Sequence, residues 1–334
     1  MNITDLYLII NSRCNLKCPF CIRKNLTFMD DMSMSTVCQI FESIEGIFDN
    51  IGSVIITGGE PTLHPNFFDI VDMACNRFKR VLINSNGVFS TEIAEALKER
   101  MAHNLYVQIS LDGLKGVHDK LRGNGSFEKT VNSINAFSEV SSHLIISTTV
   151  GKANIESVKD MPEFLEGLSF RYWKVSQEQI EKPSVNAIID NNIWNAFVDL
   201  LINKSCFMLS IKKMFDFNLM KAYLAHGVEL NNCIRNCGYG KENVYINSSK
   251  NILYCSCVNK VIGNLDDDEI ETIRYRVKNS SSVVIPPESI CSKCAYKLIC
   301  NSGCPGYSLN FFGKIGMGDI RCPKVRRAYF NPTQ

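Results

Sequence analysis

The sequence has little net charge and no long apolar run, and both absences narrow the kind of protein it encodes. Its 36 Lys and Arg residues stand against 34 Asp and Glu residues, which leaves a formal net charge of +2. A net charge so close to zero does not indicate nucleic acid or a membrane surface as a partner. No apolar stretch is long enough to cross a bilayer, and the first residues lack the basic and apolar regions of a signal peptide. These features predict a cytoplasmic protein without a membrane or nucleic-acid partner.

Histidine is also scarce, whereas cysteine is abundant. The five histidines show no metal-ligand spacing, but the 334 residues include 15 cysteines. In a cytoplasmic protein, cysteine binds metal or performs chemistry more often than it forms disulfides. Cys38 and Cys75 fall within helical patterns and are predicted to be buried apolar residues. The remaining cysteines are therefore the first candidates for function.

Short β-type runs alternate with amphipathic helical patterns over the first 175 residues. The runs span residues 6–10, 53–57, 80–84, 106–110, 144–149 and 170–175, and the helical patterns span 35–48, 66–78, 91–101, 127–140 and 155–165. Ser126 is the predicted N-cap of the fourth helix. Repeated β–α units predict a parallel sheet with right-handed crossovers, and six units are too few for a complete eight-stranded barrel. We therefore expect an α/β fold, a partial (β/α)6 TIM-type barrel with its chemistry at the carboxyl ends of the strands.

The composition divides the chain into three parts. Residues 1–182 form the predicted barrel, residues 183–232 a helical bridging region, and residues 233–334 a small domain rich in cysteine, glycine and asparagine. We find no tandem repeat and no low-complexity tract. Any chemistry is therefore expected in the barrel and in the cysteine-rich domain.

Three cysteines follow the first β-type run at a spacing that suits an iron–sulfur cluster. Cys14, Cys18 and Cys21 form a Cys-x3-Cys-x2-Cys run. Three thiolates so close together can hold three irons of a [4Fe–4S] cluster and leave the fourth iron open. A zinc site usually takes four ligands in pairs separated by two residues, which fits this triplet poorly.

The triplet resembles that of the radical SAM enzymes, in which the methionine end of S-adenosylmethionine (SAM) binds the open iron. The resemblance implies a [4Fe–4S] cluster and SAM as cofactors. It also implies reductive cleavage of SAM to a 5′-deoxyadenosyl radical that abstracts a hydrogen atom from the substrate. Phe20 stands where this family commonly places an aromatic residue near the adenine.

Gly58, Gly59, Glu60 and Pro61 follow the second β-type run. Glycine lets the main chain approach a ligand closely, and a buried carboxylate can hold an ammonium group. Taken alone, these residues could form an ordinary strand-to-helix turn. One β/α unit after the cysteine triplet, they resemble the motif with which the family binds the amino group of SAM.

Later turns resemble the family at matching positions. Asn86 closes the third β-type run, Ser110 and Asp112 close the fourth, and Arg122 follows. The resemblance implies that Ser110 and its neighbours contact the ribose or carboxylate of SAM. A guanidinium such as that of Arg122 can clamp a carboxylate. All four are candidate cofactor-binding residues, although Asp112 is expected to act chiefly by shaping its turn.

The C-terminal cysteines resemble those of the SPASM domain, which carries auxiliary iron–sulfur clusters. The resemblance implies two auxiliary [4Fe–4S] clusters, the first held by Cys237, Cys255 and Cys304 with Cys233 as a candidate fourth ligand, and the second by Cys291, Cys294, Cys300 and Cys322. Four cysteines at these spacings would also suit zinc, so structural zinc knuckles are the alternative.

Two positions in this region stand apart from the cluster ligands. Lys250 occupies a position where the family has glycine, and Asn251 is the candidate for the left-handed residue of that turn. Cys257 lies two residues after Cys255. It is a candidate hydrogen-atom donor in catalysis, an alternative ligand, or a structural residue.

The resemblance leaves three functions open. The first is a radical SAM/SPASM enzyme that crosslinks, oxidises or epimerises a peptide or protein side chain. The second is an oxidoreductase or epimerase acting on a small molecule such as an aminocyclitol or sugar. The third is a non-catalytic zinc or iron–sulfur protein, against which Glu60 in its motif argues, because a structural protein needs no SAM site.

The enzyme functions imply particular partners. The cluster needs a reducing partner such as flavodoxin or ferredoxin. Many peptide maturases carry an N-terminal leader-recognition domain, whereas this sequence starts at its first barrel strand. A peptide substrate with a leader would therefore call for a separate leader-peptide-binding protein.

Overall fold

The computed structural model describes residues 3–23, 30–101, 103–180, 184–226, 242–255, 258–280 and 283–330. The strands are β1 (Asp5–Ile9), β2 (Ser53–Thr57), β3 (Arg80–Ser85), β4 (Leu105–Ser110), β5 (Leu144–Val150), β6 (Tyr172–Gln177), β7 (Leu209–Ser210), β8 (Asn243–Asn247), β9 (Asn251–Cys255) and β10 (Val258–Asn264). The α-helices are α1 (Met34–Ile47), α2 (Phe67–Arg77), α3 (Thr91–Arg100), α4 (Lys115–Arg122), α5 (Ser126–Ala136), α6 (Ile155–Val158), α7 (Met161–Leu165), α8 (Asn191–Lys204), α9 (Phe217–His226), α10 (Ile270–Ser280), α11 (Lys297–Cys300), α12 (Pro305–Phe312) and α13 (Pro323–Phe330).

The strands β1 to β7 lie side by side in sequence order, and each pairs in parallel with the next. Parallel neighbours need a crossover between them, which the intervening helices provide. The predicted α/β fold with a partial barrel is therefore confirmed. Because all these strands run the same way, their carboxyl ends meet at one edge. At that edge Ile9 of β1 is the register partner of Thr57 of β2.

Alternate strand residues form the main core. Leu6, Leu8, Val54 and Ile56 are completely buried and belong to the same apolar cluster as Phe41 and other residues of α1. Full burial of an aliphatic side chain contributes about 2 kcal/mol relative to exposure. This packing fixes the ends of β1 and β2, from which the cysteine triplet and the glycine pair extend.

The sheet continues beyond β1 into the C-terminal third of the chain. Strand β8 pairs in parallel with β1, and β9 and β10 follow it in antiparallel pairs, so that β10 and β7 are the edges of a single sheet. Tyr7 of β1 stacks on Tyr245 of β8 with 4.5 Å between ring centroids. The strand-like C-terminal segments thus extend the sheet of the barrel.

Two local predictions were wrong. Lys250 itself is the left-handed residue of the β8–β9 turn, with φ 56°, whereas Asn251 already belongs to β9. A family glycine at this position has a clear reason, because glycine adopts positive φ without a Cβ penalty. Gly125, with φ 75°, is the N-cap of α5, and Ser126 is the first residue of that helix.

Among the described residues, no helix is both long and apolar enough to cross a membrane.

Candidate functional site

The cysteine triplet lies in the segment after β1, at the carboxyl edge of the sheet. Cys14 is exposed, and Cys18 and Cys21 are half-buried. The backbone N–H of Leu16 donates to Cys14 Sγ at 3.4 Å, and that of Arg23 donates to Cys21 Sγ at 3.4 Å. Such N–H···S bonds stabilise thiolates, and they are among the contacts that set the potential of an iron–sulfur cluster.

The protonation of these thiols depends on what binds them. Burial raises the pKa of Cys14, and burial raises the pKa of Cys18 to about 11, although the nearby Arg122 lowers the latter. The protein alone therefore keeps Cys14 and Cys18 as thiols near neutral pH. A metal centre deprotonates the thiols that coordinate it. Three neighbouring thiols, two of them with N–H donors, beside a guanidinium are a donor set that fits an iron–sulfur cluster.

The glycine pair after β2 lies directly against the triplet segment. A Cβ on Gly58 would meet Asn11 Oδ1 at 2.2 Å, and a Cβ on Gly59 would meet the carbonyl oxygen of Arg13 at 2.2 Å. Gly59 N donates to Asn11 O at 3.0 Å, and Glu60 N donates to Arg13 O at 2.7 Å. Only glycine permits this approach, so the motif after β2 holds the start of the cysteine segment.

Replacing Gly59 with alanine is expected to lower the free energy of unfolding by about 2–3 kcal/mol, because the two loops must move apart. Chemical denaturation measures this loss, and SAM affinity should weaken with it. Gly46 lies inside α1 with nothing within 4 Å of an added Cβ. Gly46→Ala is therefore the matched control and should stabilise the helix by up to about 1 kcal/mol. Equal stability of the two variants would contradict the close contact.

The Glu60 carboxylate is completely buried and binds the end of β3. It accepts hydrogen bonds from Thr62 Oγ1 at 2.8 Å, Ser85 Oγ at 2.8 Å and Asn86 N at 2.8 Å. Burial raises its pKa, and these donors oppose that rise. Pro61 is buried and begins a short 3-10 helix. The carboxylate thus connects the loops after β2 and β3, a role that its sequence motif did not indicate.

Asn86 connects the loop after β3 to the triplet segment. Its Nδ2 donates to Asn15 Oδ1 at 2.7 Å and lies 3.8 Å from Cys14 Sγ, while its Oδ1 accepts from Val88 N at 2.7 Å. The structure therefore brings Asn86 and Cys14 together, as the sequence predicted for residues of one site. Ser110, at the end of β4, is half-buried at the same edge.

Asp112 and Arg122 form a buried ion pair beside the triplet. Arg122 Nε lies 2.5 Å from Asp112 Oδ2, and the side chains are 10% and 0% exposed. Asp112 Oδ1 accepts from Thr149 N at 2.8 Å, so both carboxylate oxygens have donors. The Arg122 guanidinium lies 5.6 Å from the centroid of the Phe20 ring. The pair thus places a fixed positive charge next to Cys18 and Phe20.

Three further residues support this site, and sequence reasoning assigned no role to any of them and missed Asn11 altogether. Asn11 is buried at the end of β1 and donates to Glu60 O at 2.9 Å. His118 Nδ1 accepts from Asp112 N at 3.1 Å, and its burial lowers the pKa to about 4, so the ring is neutral. Asn154 Nδ2 donates to Asp112 O at 2.8 Å. The one available signal was a polar residue directly after a buried strand, as at Asn11.

The predicted ligands of the second auxiliary cluster line one cavity in the C-terminal third. The cavity has a volume of about 390 Å³, and its lining includes Cys291, Cys294, Cys300 and Cys322. Burial raises the pKa of Cys322 to about 11 and raises that of Cys300 further. Four thiols around one cavity, that of Cys322 buried and the other three half-buried, are a donor set that fits a [4Fe–4S] cluster.

The other predicted auxiliary ligands lie elsewhere. Cys304 is the N-cap of α12, and its N–H donates to Asp319 Oδ2 at 3.0 Å, while Cys255 ends β9. Cys233, Cys237 and Cys257 lie outside the described residues. Within the described part of the chain, no three His, Cys, Asp or Glu side chains converge as a single metal ion would require.

Comparison with known proteins agrees with this arrangement. Residues 8–165 match the radical SAM superfamily. The sporulation killing factor maturation protein SkfB of Bacillus subtilis (strain 168) is 30% identical over 159 residues, which are 47% of this chain and 38% of SkfB. The chain therefore matches less than half of SkfB. The AdoMet-dependent heme synthase of Methanosarcina barkeri (strain Fusaro / DSM 804) is 23% identical over 320 residues, 88% of this chain and 89% of that protein.

A solved structure shares the fold over almost the whole chain. SuiB of Streptococcus suis, bound to the precursor peptide SuiA, superposes with a TM-score of 0.73 and 19% identity, covering 96% of this chain and 76% of SuiB. The likeness therefore includes the C-terminal third as well as the barrel.

Proposed function

We propose, from the match of residues 8–165 to the radical SAM superfamily, that this chain is a peptide-modifying radical enzyme of the SPASM type. It would cleave SAM reductively, abstract a hydrogen atom from a peptide or protein side chain, and leave that side chain crosslinked, oxidised or epimerised. The observation that carries the proposal is the contact between the Cys14–Cys21 segment and the Gly58–Gly59–Glu60 motif at one sheet edge.

The residues of the site have distinct roles in this proposal. Cys14, Cys18 and Cys21 would hold the [4Fe–4S] cluster, which when bound supplies the electron that cleaves SAM. Gly58 and Gly59 let the main chain approach the amino group of SAM. Arg122, kept in place by Asp112 at 2.5 Å, presents its remaining N–H groups towards the carboxylate of SAM.

Two further residues would bind the adenosyl end of SAM. Phe20 offers an aromatic face to the adenine, and Ser110 offers a hydroxyl group to the ribose or the carboxylate. Glu60 already accepts hydrogen bonds from the loop after β3. Glu60 would therefore stabilise the ammonium group of SAM mainly through the negative potential of its buried carboxylate. Its backbone carbonyl oxygen would add a hydrogen-bond acceptor.

The C-terminal third would supply the auxiliary clusters. The cavity lined by Cys291, Cys294, Cys300 and Cys322 supports one cluster, and Cys255 and Cys304, with Cys233 and Cys237, are the proposed ligands of the other. A buried auxiliary cluster can accept an electron from a substrate radical, which would turn hydrogen abstraction into a two-electron oxidation. Cys257 is the proposed hydrogen donor if the product is an epimer.

A peptide substrate is supported by the likeness to SkfB and to SuiB, which was solved with a precursor peptide. The test is to incubate the reconstituted protein without oxygen, with SAM, dithionite and each small peptide that genome sequencing finds encoded beside its gene. We expect 5′-deoxyadenosine together with a peptide of changed mass, or with one deuterium gained from D2O in an epimerisation. An unchanged peptide despite SAM cleavage would overturn the peptide assignment.

A small-molecule substrate is the second candidate, since the heme synthase of Methanosarcina barkeri matches 88% of this chain. Conversion of a small molecule such as an aminocyclitol or sugar, in the same assay and in the absence of peptide, would favour it.

A further inference from the structure

A buried carboxylate lies between the proposed ligands of the two auxiliary clusters. Asp319 lines the cavity of about 390 Å³ that the four cysteines of the second cluster share. Its Oδ2 accepts a hydrogen bond from Cys304 N at 3.0 Å, and its backbone oxygen accepts one from Cys322 N at 2.9 Å. Because Cys304 belongs to the first proposed cluster and Cys322 to the second, one residue holds a ligand segment of each.

The main chain packs tightly around Asp319. Gly303, with φ 77°, directly precedes Cys304, and a Cβ on it would meet Asp319 Cβ at 2.4 Å. Gly318, with φ 124°, directly precedes Asp319, and a Cβ on it would lie 3.1 Å from Cys291 Sγ. Glycine allows both the positive φ and the close approach. The two glycines therefore keep the carboxylate close to the ligand segments.

Arg321 places a positive charge against this carboxylate. Its Nε donates to Asp319 Oδ1 at 2.9 Å and its Nη2 donates to Asp319 Oδ2 at 2.7 Å, and both side chains are buried. The guanidinium lies 3.9 Å from the centroid of the Tyr307 ring, and its Nη1 donates to Gln177 Oε1 at 3.3 Å. Since Gln177 ends β6, the ion pair joins the proposed cluster ligands to the carboxyl edge of the barrel.

The charges of this pair bear on the reduction potential of a neighbouring cluster. A [4Fe–4S]2+ cluster that gains one electron becomes [4Fe–4S]+, so reduction adds negative charge to the site. A nearby carboxylate opposes that change and a nearby guanidinium favours it, and burial leaves both charges weakly screened. Asp319 and Arg321 thus act on the potential in opposite directions.

We propose that Asp319 is a positioning residue shared by both auxiliary clusters, and that the Asp319–Arg321 pair sets their reduction potentials. The inference rests on the proposed function, because it needs the clusters assigned there to the C-terminal cysteines. Removing the hydrogen-bond acceptor of Asp319 should release iron, whereas removing only its charge should move the potential.

The test is a potentiometric titration of the reconstituted protein with dithionite, followed by electron paramagnetic resonance. The triple alanine variant of the Cys14–Cys21 triplet serves as the background, so that only the auxiliary clusters are measured. In it, Asp319→Asn should raise the potential and Arg321→Met should lower it. Each shift should be at least about tenfold in the reduction equilibrium, or about 59 mV for one electron. The variant with both changes should lie between the two single variants.

Two further variants separate position from charge. Asp267→Asn is the matched control, since Asp267 is exposed in the turn after β10, and it should leave the potential unchanged. Asp319→Asn keeps a side-chain oxygen for Cys304 N and should retain about eight auxiliary irons per chain. Asp319→Ala has no such acceptor and should hold fewer irons.

Equal iron in Asp319→Ala and Asp319→Asn would overturn the positioning role. Unmoved potentials, or shifts of the same sign in Asp319→Asn and Arg321→Met, would overturn the setting of the potential by charge. If Asp319→Asn does not fold, Arg321→Met and the charge-conserving Arg321→Lys give the comparison, and only the first should lower the potential. About four irons in the unmodified protein would overturn the auxiliary clusters of the proposed function and this inference with them. That iron content distinguishes such a result from unmoved potentials in a protein with about twelve irons.

Discussion

Replacing Cys14, Cys18 and Cys21 with alanine is expected to reduce 5′-deoxyadenosine formation to background and to remove about four irons per chain. These thiols are the proposed ligands of the cluster that reduces SAM, and no described thiol lies in the same segment to replace them. Chromatography with mass spectrometry measures 5′-deoxyadenosine, and anaerobic iron analysis measures the loss of the cluster.

The matched control is the triple variant of Cys38, Cys75 and Cys206. Cys206 is exposed, and Cys38 and Cys75 are half-buried, with Cys38 Sγ 3.7 Å from Met73 Sδ in the helical layer. This variant loses the same number of thiols, yet it should keep its iron and its SAM cleavage. Persistent 5′-deoxyadenosine formation by the Cys14/Cys18/Cys21 variant would contradict the proposed chemistry, provided that its circular dichroism matches that of the control.

The barrel strands were predictable because their sequence signal is local. The run 53–57 became β2 with the same bounds, since a buried parallel strand is a short, continuous apolar segment. The cysteine triplet and the Gly58–Gly59–Glu60 motif were visible for a similar reason. Each needs a fixed residue type at a fixed spacing, and each follows a strand whose end could be located.

The remaining features depend on contacts between distant parts of the chain. Strand β8 pairs with β1 across more than two hundred residues of sequence. The apolar pattern of a strand does not identify the strand with which it pairs. Asp112 and Arg122 were recognised as polar residues near the site, but their pairing depends on how α4 returns to the end of β4. Lys250 was misjudged because a positive φ in a non-glycine residue is set by the turn that encloses it.

The Asp112–Arg122 pair also explains how the positively charged guanidinium of Arg122 can be buried at the site. A buried arginine without its carboxylate would cost several kcal/mol, and a buried ion pair broken at one partner costs about 3–5 kcal/mol. Asp112 therefore lets a guanidinium persist beside Cys18 and Phe20 before any cofactor binds. Its other contacts, to Thr149 N and through its backbone to Asn154, tie this charge to the ends of β4 and β5.

Replacing Cys294 and Cys300 with alanine is expected to leave SAM cleavage intact and to abolish the coupled product. The four cysteines around the cavity of about 390 Å³ lie in the C-terminal third, away from the Cys14–Cys21 segment. Losing two of four ligands should release one cluster, so the iron content should fall from about twelve to about eight per chain. 5′-Deoxyadenosine should still form, while the substrate radical would lose its proposed electron acceptor.

Metal analysis of the unmodified protein separates this interpretation from the zinc alternative. About four irons per chain accompanied by zinc would keep the radical chemistry and make the C-terminal third a structural zinc domain. The same variant would then lose zinc and not iron, and its thermal stability would fall without any selective effect on the coupled product. The four thiols line the same cavity whichever metal they hold, so the metal that the variant loses decides between the two interpretations.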